Sequence, residues 1–421
     1  YNRFLLDCAM SIARSQSKDL WIGETSVGQY GTIHRDRPPQ ALIETLVAEM
    51  IGCGIKGLMY FRHKPPKYEQ PHKFTGSQTV LRRDGSEMEY GKTPRRISEL
   101  MKSLGEDWAT RRPVAPQVGV YYPEESLLFC RAAGYEAIQR ESLYGVSGLW
   151  NRLGHPVHIL PTSQLLTEDL SGLKVVYLPV SYLIPEAVGQ RLREYVQAGG
   201  VLISECRPGY LDGQGWLYEV QPGAGLHEVF GAREDLFWQV NKTATRFAFD
   251  GAEMEASFPS LCQTFRLDGA EAIGWNKAGE VIATRRQFGA GEAVLLGVAP
   301  SLLFPAGGGK YEDKARSEEG PAPGADAAAR LVEALVGGAG LRLPFGWRQP
   351  PGAVSIRYLE SDAAAWAVVC NHGGKTSVPV APGFEVVAAS DGAKPFLSGQ
   401  AVAMRMDGYS WFVAKRPRPE R

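Results

Sequence analysis

The chain has 421 residues, with 46 acidic and 46 basic side chains and a formal net charge of zero. That length can bury several cores, with two or three domains as the prior. No run approaches the roughly 20 continuous apolar residues needed to span a bilayer, and no basic stripe interleaved with aromatics points to nucleic acid. The six cysteines, Cys8, Cys53, Cys130, Cys206, Cys262 and Cys370, show neither CxxC nor Cys/His spacing, so neither a zinc site nor a disulfide framework is indicated.

Phe4, Leu5, Cys8, Ala9 and Ile12 follow helical spacing from the first residues on. The run Leu20 to Thr25 then reads as a short buried strand with Glu24 at its polar end, and Trp21, between Leu20 and Ile22, reads as core. A carboxylate at such a strand end is where a barrel enzyme keeps its chemistry. A glycine-rich turn around Tyr30 follows, and after Pro38 and Pro39 a helix is predicted over 40–52, with Leu42, Ile43, Leu46, Val47, Met50 and Ile51 at helical spacing. Gly52 and Gly54 stop it. A second strand over 55–61 ends in Arg62 and His63. Its loop carries Tyr68, Glu69, His72, Phe74 and Asp84, until Thr93 as N-cap and Pro94 open a helix with Ile97, Leu100, Met101 and Leu104. Two βα units therefore stand side by side. A complete (β/α)₈ barrel takes about 250 residues, and about 110 precede the next segment here, so the sequence reads as the end of a barrel.

The Arg111, Arg112, Pro113 stretch is a plausible joint. Beyond it, apolar strands over 118–122, 157–160, 174–179 and 201–204 alternate with helices, the pattern of an open, doubly wound α/β domain. The stretch 247–303 is richer in strands, 305–325 is a loop rich in glycine, proline and charge, and a last helix is predicted over 326–337. From Val354 onward, alternating runs at 365–370, 385–388 and 410–414 signal a small all-β module.

Three groups of residues carry a resemblance. Trp21, Ile22, Gly23 and Glu24, then Gly57 to Arg62, then Glu69, His72, Asp84 and Gly85 resemble the end of the catalytic barrel of family 42 β-galactosidases. Leu173 to Pro179, Tyr195 to Gly200 and Pro222 to Gly231 are similar to that family's amidotransferase-like trimerisation domain, and Val368 to His372 to its C-terminal β-sandwich. The resemblance implies three domains: the end of a TIM barrel over 1–112, an amidotransferase-like domain over 113–346 and a β-sandwich over 347–421.

It also implies a retaining hydrolysis of terminal β-galactosides in which Glu24 is the nucleophile and no metal or organic cofactor takes part. The acid/base glutamate would lie in earlier barrel strands, supplied by a longer chain or a companion polypeptide. Arg62, Glu69 and His72 would bind sugar hydroxyls, and Tyr30 would meet a sugar face where the family usually offers a tryptophan. The stretch from His72 to Asp84 is longer than in the family, which leaves the choice between galactose and a related sugar open. The implied assembly is a homotrimer, with the cytoplasm as the default location. A non-catalytic scaffold derived from a glycosidase is the rival reading. Within the α/β domain, Cys206 suggests an amidotransferase nucleophile, but the glycine-rich elbow and a His-x-Glu pairing are both missing around it, His155, His158 and His227 included. The sandwich aromatics Trp366, Tyr409 and Trp411 are treated as structural.

Overall fold

The computed structural model describes residues 3–26, 40–61, 63–65, 79–134, 136–304, 322–348, 353–399 and 401–418. Among these the strands that belong to sheets form four of them. The N-terminal unit holds α1 (Arg3–Ser15), β1 (Trp21–Ser26), α2 (Gln40–Gly52), β2 (Gly57–Phe61), α3 (Lys92–Ser103) and the short α4 (Glu106–Ala109). β1 and β2 pair in parallel with α2 as the crossover, which is the repeating unit of an α/β barrel. Thr93 is not the N-cap expected of it. The helix begins two residues earlier, at Lys92 behind a 3₁₀ turn over Glu89–Gly91, and the Thr93 hydroxyl instead accepts a hydrogen bond from Gln40 Nε2 at 3.1 Å.

The middle unit is built on a sheet in the order β5-β4-β6-β7-β12-β11-β10-β8-β9. Its parallel half comprises β4 (Val118–Tyr122), β5 (Val157–Pro161), β6 (Val175–Leu178), β7 (Val201–Ser204) and β12 (Gly291–Leu296). The first four are predominantly apolar and buried almost throughout, as expected of strands covered on both faces. Among the described helices, α5 (Glu124–Ala132), α6 (Ala137–Arg152), α7 (Thr162–Thr167) and α8 (Glu186–Gln197) connect them. An antiparallel extension continues the sheet through β11 (Val281–Phe288), β10 (Glu271–Asn276) and a long hairpin, β8 (Ala232–Phe249) with β9 (Ala252–Leu267). Asp250 and Gly251 turn that hairpin with φ of 51° and 74°, the left-handed pair that a tight two-residue turn needs. Helix α1 closes the opposite edge: Ser11 Oγ accepts the Ile159 N–H of β5 at 2.8 Å.

The C-terminal unit adds β15 (Thr376–Pro379), β16 (Glu385–Ala389), β17 (Ala393–Ser398) and β18 (Ala401–Met406), and is a sandwich of a five-stranded sheet, β16-β19-β14-β13-β3, and a three-stranded one, β15-β18-β17, among the described residues. The joint itself supplies an edge strand, since β3 (Arg112–Pro113) pairs with β13 (Val354–Glu360). β14 (Ala364–Asn371) is buried along its whole length, and its two faces divide by the period of two. Ala365, Ala367 and Val369 pack with Phe412 and Met404 inside the sandwich, whereas Trp366, Val368 and Cys370 pack with Val47, Met50, Ile51 and Trp108 of the N-terminal unit. Trp366 and Trp411 (β19, Ser410–Pro417) are therefore core, and the Trp108 and Trp366 rings meet edge to face at 5.0 Å.

Because α2 is covered on both sides, it buries polar residues as well as apolar ones. Glu44, Thr45 and Glu49 are all buried, and a side chain on Gly52 would collide with Arg357 and Val368 of the sheet beneath. Glu49 is held by Arg357 Nη2 at 3.2 Å and by His372 Nε2 at 2.7 Å, while Arg357 Nη1 reaches Asp7 of α1 at 2.9 Å. These four residues tie both N-terminal helices to the sandwich.

Candidate active-site strand and the crevice of the α/β domain

The pairing of β1 with β2 starts as Trp21 to Gly57 and Ile22 to Leu58, then resumes as Thr25 to Tyr60 and Ser26 to Phe61. Two residues of β1, Gly23 and Glu24, thus stand against one of β2, Met59. This is a β-bulge, a device that re-aims one position of a strand and is common beside active sites. Strict alternation would give Glu24 the face of Ile22; the extra residue gives its backbone the Met59 register instead. Ile22, Leu58 and Tyr60 pack toward α2 and α3, whereas Met59 is 56% exposed on the other face.

Trp21 is not core as expected: it is 62% exposed, on the face opposite Ile22, and a side chain on Gly57 would run into its ring. The reason is the register, which gives the helix side to Leu20 and Ile22. The candidate face of β1 is thus marked by Trp21, Gly23 and Met59 around the backbone of Glu24. The Glu24 side chain lies outside the described residues, as do Tyr30, Arg62, Glu69 and His72.

Behind β2 the sequence reading missed a polar layer. Glu44 accepts from Gln40 Nε2 at 3.1 Å and pairs with Arg96 at 3.3 Å; burial raises its carboxyl above the ordinary range, with Arg96 acting in the opposite direction. The Tyr60 hydroxyl is buried without a hydrogen-bond partner among the described residues, and burial together with the nearby Glu44 charge raises its pKa. Helical spacing around Glu44 gave no signal for this, since a glutamate there reads as solvated.

In the α/β domain, the place where such folds bind ligands is the crevice at the strand-order reversal between β4 and β6. Here that end of the sheet is filled. Ser126 Oγ accepts from Gln139 and from the Leu183 N–H, and Ser142 Oγ accepts the Val180 N–H at 3.0 Å. Glu205, fully buried after β7, accepts from the hydroxyls of Ser142, Tyr177 and Ser301 and from the Ser301 N–H at 2.8 Å. Its carboxyl is shifted upward, first by burial.

Cys206 is buried as well, and burial and then Glu205 push its thiol far from the thiolate form a nucleophile needs. His158, on the edge strand β5, is engaged with Glu168 at 2.8 Å, and burial lowers His155 to about 4. This geometry does not serve glutamine hydrolysis. Iodoacetamide applied to the folded chain at pH 8 is expected to leave Cys206 unmodified, with labelling only after denaturation; peptide mass mapping reads the result, and rapid native labelling of Cys206 would contradict its burial.

Residues 147–305 match the family described as the β-galactosidase trimerisation domain. The chain shares its fold with the C-terminal part of solved β-galactosidases, one of them of family GH42. Among curated proteins, β-galactosidase BgaB of Geobacillus sp. (strain Y412MC61) is 28% identical over 144 residues, 33% of this chain and 21% of its own. β-Galactosidase LacZ of Heyndrickxia coagulans is 28% identical over 142 residues, 32% of this chain and again 21% of its own. Among solved structures, the β-galactosidase from Bacillus circulans sp. alkalophilus superposes with a TM-score of 0.76 at 15% identity, covering 98% of this chain and 58% of that one. A catalytic mutant of Gan42B, a GH42 β-galactosidase from G. stearothermophilus, does so with a TM-score of 0.75 at 16% identity, covering 99% and 56%.

At these identities the structural likeness speaks for the fold: the end of a TIM barrel, then the trimerisation domain, then the sandwich. The chain spans a little over half the length of these solved relatives. Among the described residues, no helix is long and apolar enough to cross a membrane.

Proposed function

We propose that this chain is part of a retaining glycoside hydrolase that removes terminal β-galactosyl or closely related residues, with Glu24 as the nucleophile. The observation that carries the reading is the bulge at Gly23 and Glu24, on a barrel strand of a chain with the family 42 build. In this reading the Glu24 carboxylate attacks the anomeric carbon while a second carboxyl protonates the departing oxygen; water then hydrolyses the glycosyl ester, with the second group acting as base. That second carboxyl comes from earlier barrel strands, on a longer chain or a companion polypeptide. Tyr30, Arg62, Glu69 and His72 hold the sugar. The domains run over 1–112, 113–346 and 347–421, and three copies assemble through the middle one.

The test is trapping. With the barrel complete, a 2-fluoro galactoside is expected to add one glycosyl mass to the peptide that contains Glu24, read by intact mass and peptide mapping. An adduct confined to another carboxylate, or none during turnover of a β-galactoside, would overturn the assignment.

A further inference from the structure

We propose that the pocket where the three units meet, lined by Arg14, Ser147, Asn151 and His155, binds a small oxyanion, a carboxylate or inorganic phosphate. The pocket lies between the ends of α1, α2 and α6 and the middle of β13, so each unit of the chain contributes to its wall. The cavity is about 50 Å³. At roughly 10–15 Å³ for each water, that is room for about three to five waters, which suits phosphate or acetate and is too little for a sugar ring.

The charges around it point to an anion. Asp7, the carboxylate in the wall, is committed to Arg357 at 2.9 Å, and Glu168 is committed to His158 at 2.8 Å. Arg14 stands between these carboxylates, yet among the described residues it forms no ion pair and makes a single long contact, 3.4 Å, with His158 Nδ1. Burial acts against its charge, while the more distant Asp7 and Glu168 act for it. Its place in the last turn of α1 suits a cation but leaves most of its five N–H donors unused. A cation kept from water without a bound counter-charge is costly, and an oxyanion held by two of those donors supplies one. Among the described residues no three His, Cys, Asp or Glu side chains are placed to hold a metal ion.

The neutral donors are built into one helix end. Ser147 and Asn151 lie one turn apart on α6 and share a face. Ser147 is buried, and its hydroxyl has no hydrogen-bond partner among the described residues. A Schellman turn then closes the helix: Gly154, with φ of 80°, donates its N–H to the Asn151 carbonyl, and His155 to the Trp150 carbonyl, both at 3.0 Å. This fixes His155 at the wall, with its ring edge to face with Trp150 at 6.2 Å. Burial lowers the imidazole to about 4, so at neutral pH it is uncharged and donates from one ring nitrogen.

Titration calorimetry on the protein with its barrel complete tests this, with sodium phosphate and sodium acetate each injected against sodium chloride of equal ionic strength. Saturable binding of at least one of them is expected, and the anion that binds tells phosphate from carboxylate. Arg14→Gln is expected to weaken it by about tenfold or more, the scale of one charge-assisted hydrogen bond. Arg140→Gln, at an exposed position of the same α6 outside the pocket, is the control that leaves binding unchanged. The melting temperature adds a readout that a merely structural arginine would not give: the binding anion should raise it in the parent and not in Arg14→Gln. If Arg14→Gln fails to fold by circular dichroism, Asn151→Ala decides in its place. No saturable binding of either anion to the parent, or unchanged binding in the folded variant, would overturn the site.

Discussion

Glu24→Gln, in the protein with its barrel complete, is expected to lower kcat by on the order of ten-thousand-fold or more while leaving the fold and assembly as they were. The amide keeps the volume of the carboxylate but cannot form the glycosyl ester, and groups that act as one catalytic unit lose nearly the whole rate enhancement when one is removed. Steady-state kinetics on a nitrophenyl β-galactoside, with circular dichroism and sedimentation alongside, read the result. Glu24→Ala adds a readout that a structural role would not move: azide should restore turnover and give a glycosyl azide of inverted configuration. A Gln variant with parental kcat would remove Glu24 from the mechanism.

Arg357→Ala is expected to destabilise the contact between the N-terminal unit and the sandwich by about 3 to 5 kcal/mol, the usual cost of leaving buried charges without their partner. Arg357 stands between Asp7 of α1 and Glu49 of α2, whose side chains are 9% and 2% exposed, and removing it takes away a cation that both carboxylates share. The measurement is the urea midpoint followed by tryptophan fluorescence, since Trp108, Trp366 and Trp411 lie in the apolar layer of this same contact. A chain of several domains need not unfold in one step, so the earliest transition is the one to compare. Replacing Asp7 together with Arg357 by apolar residues should recover part of the loss; an unchanged midpoint for Arg357→Ala would mean that the ion pairs are not held in solution.

Much of the architecture was legible in the residues. The runs at 365–370, 385–388 and 410–414 and the apolar runs at 118–122, 157–160 and 201–204 announce strands because period two and full burial leave direct traces in composition. The proline and glycine boundaries of α2 and α8 are equally local. The same reasoning placed Glu24 on the first strand, β1, which runs two residues past it. The first strand of the long hairpin was harder: 232–249 mixes exposed charged residues with buried aromatics, and only its Asp250 and Gly251 turn carries a strong local signal.

What the sequence by itself determined is therefore the set of elements, their order, and the residues whose chemistry could matter. Tertiary structure alone decided which of them share a face. The extra residue at Gly23 and Glu24 exists only relative to β2, because a bulge is a mismatch between two strands and neither strand encodes it alone. Trp21 is exposed, and Glu49 is buried beside Arg357, for a similar reason: burial depends on which layer arrives from residues more than 300 positions away. A local pattern cannot carry that information, since the partner that removes a side chain from water belongs to another part of the chain.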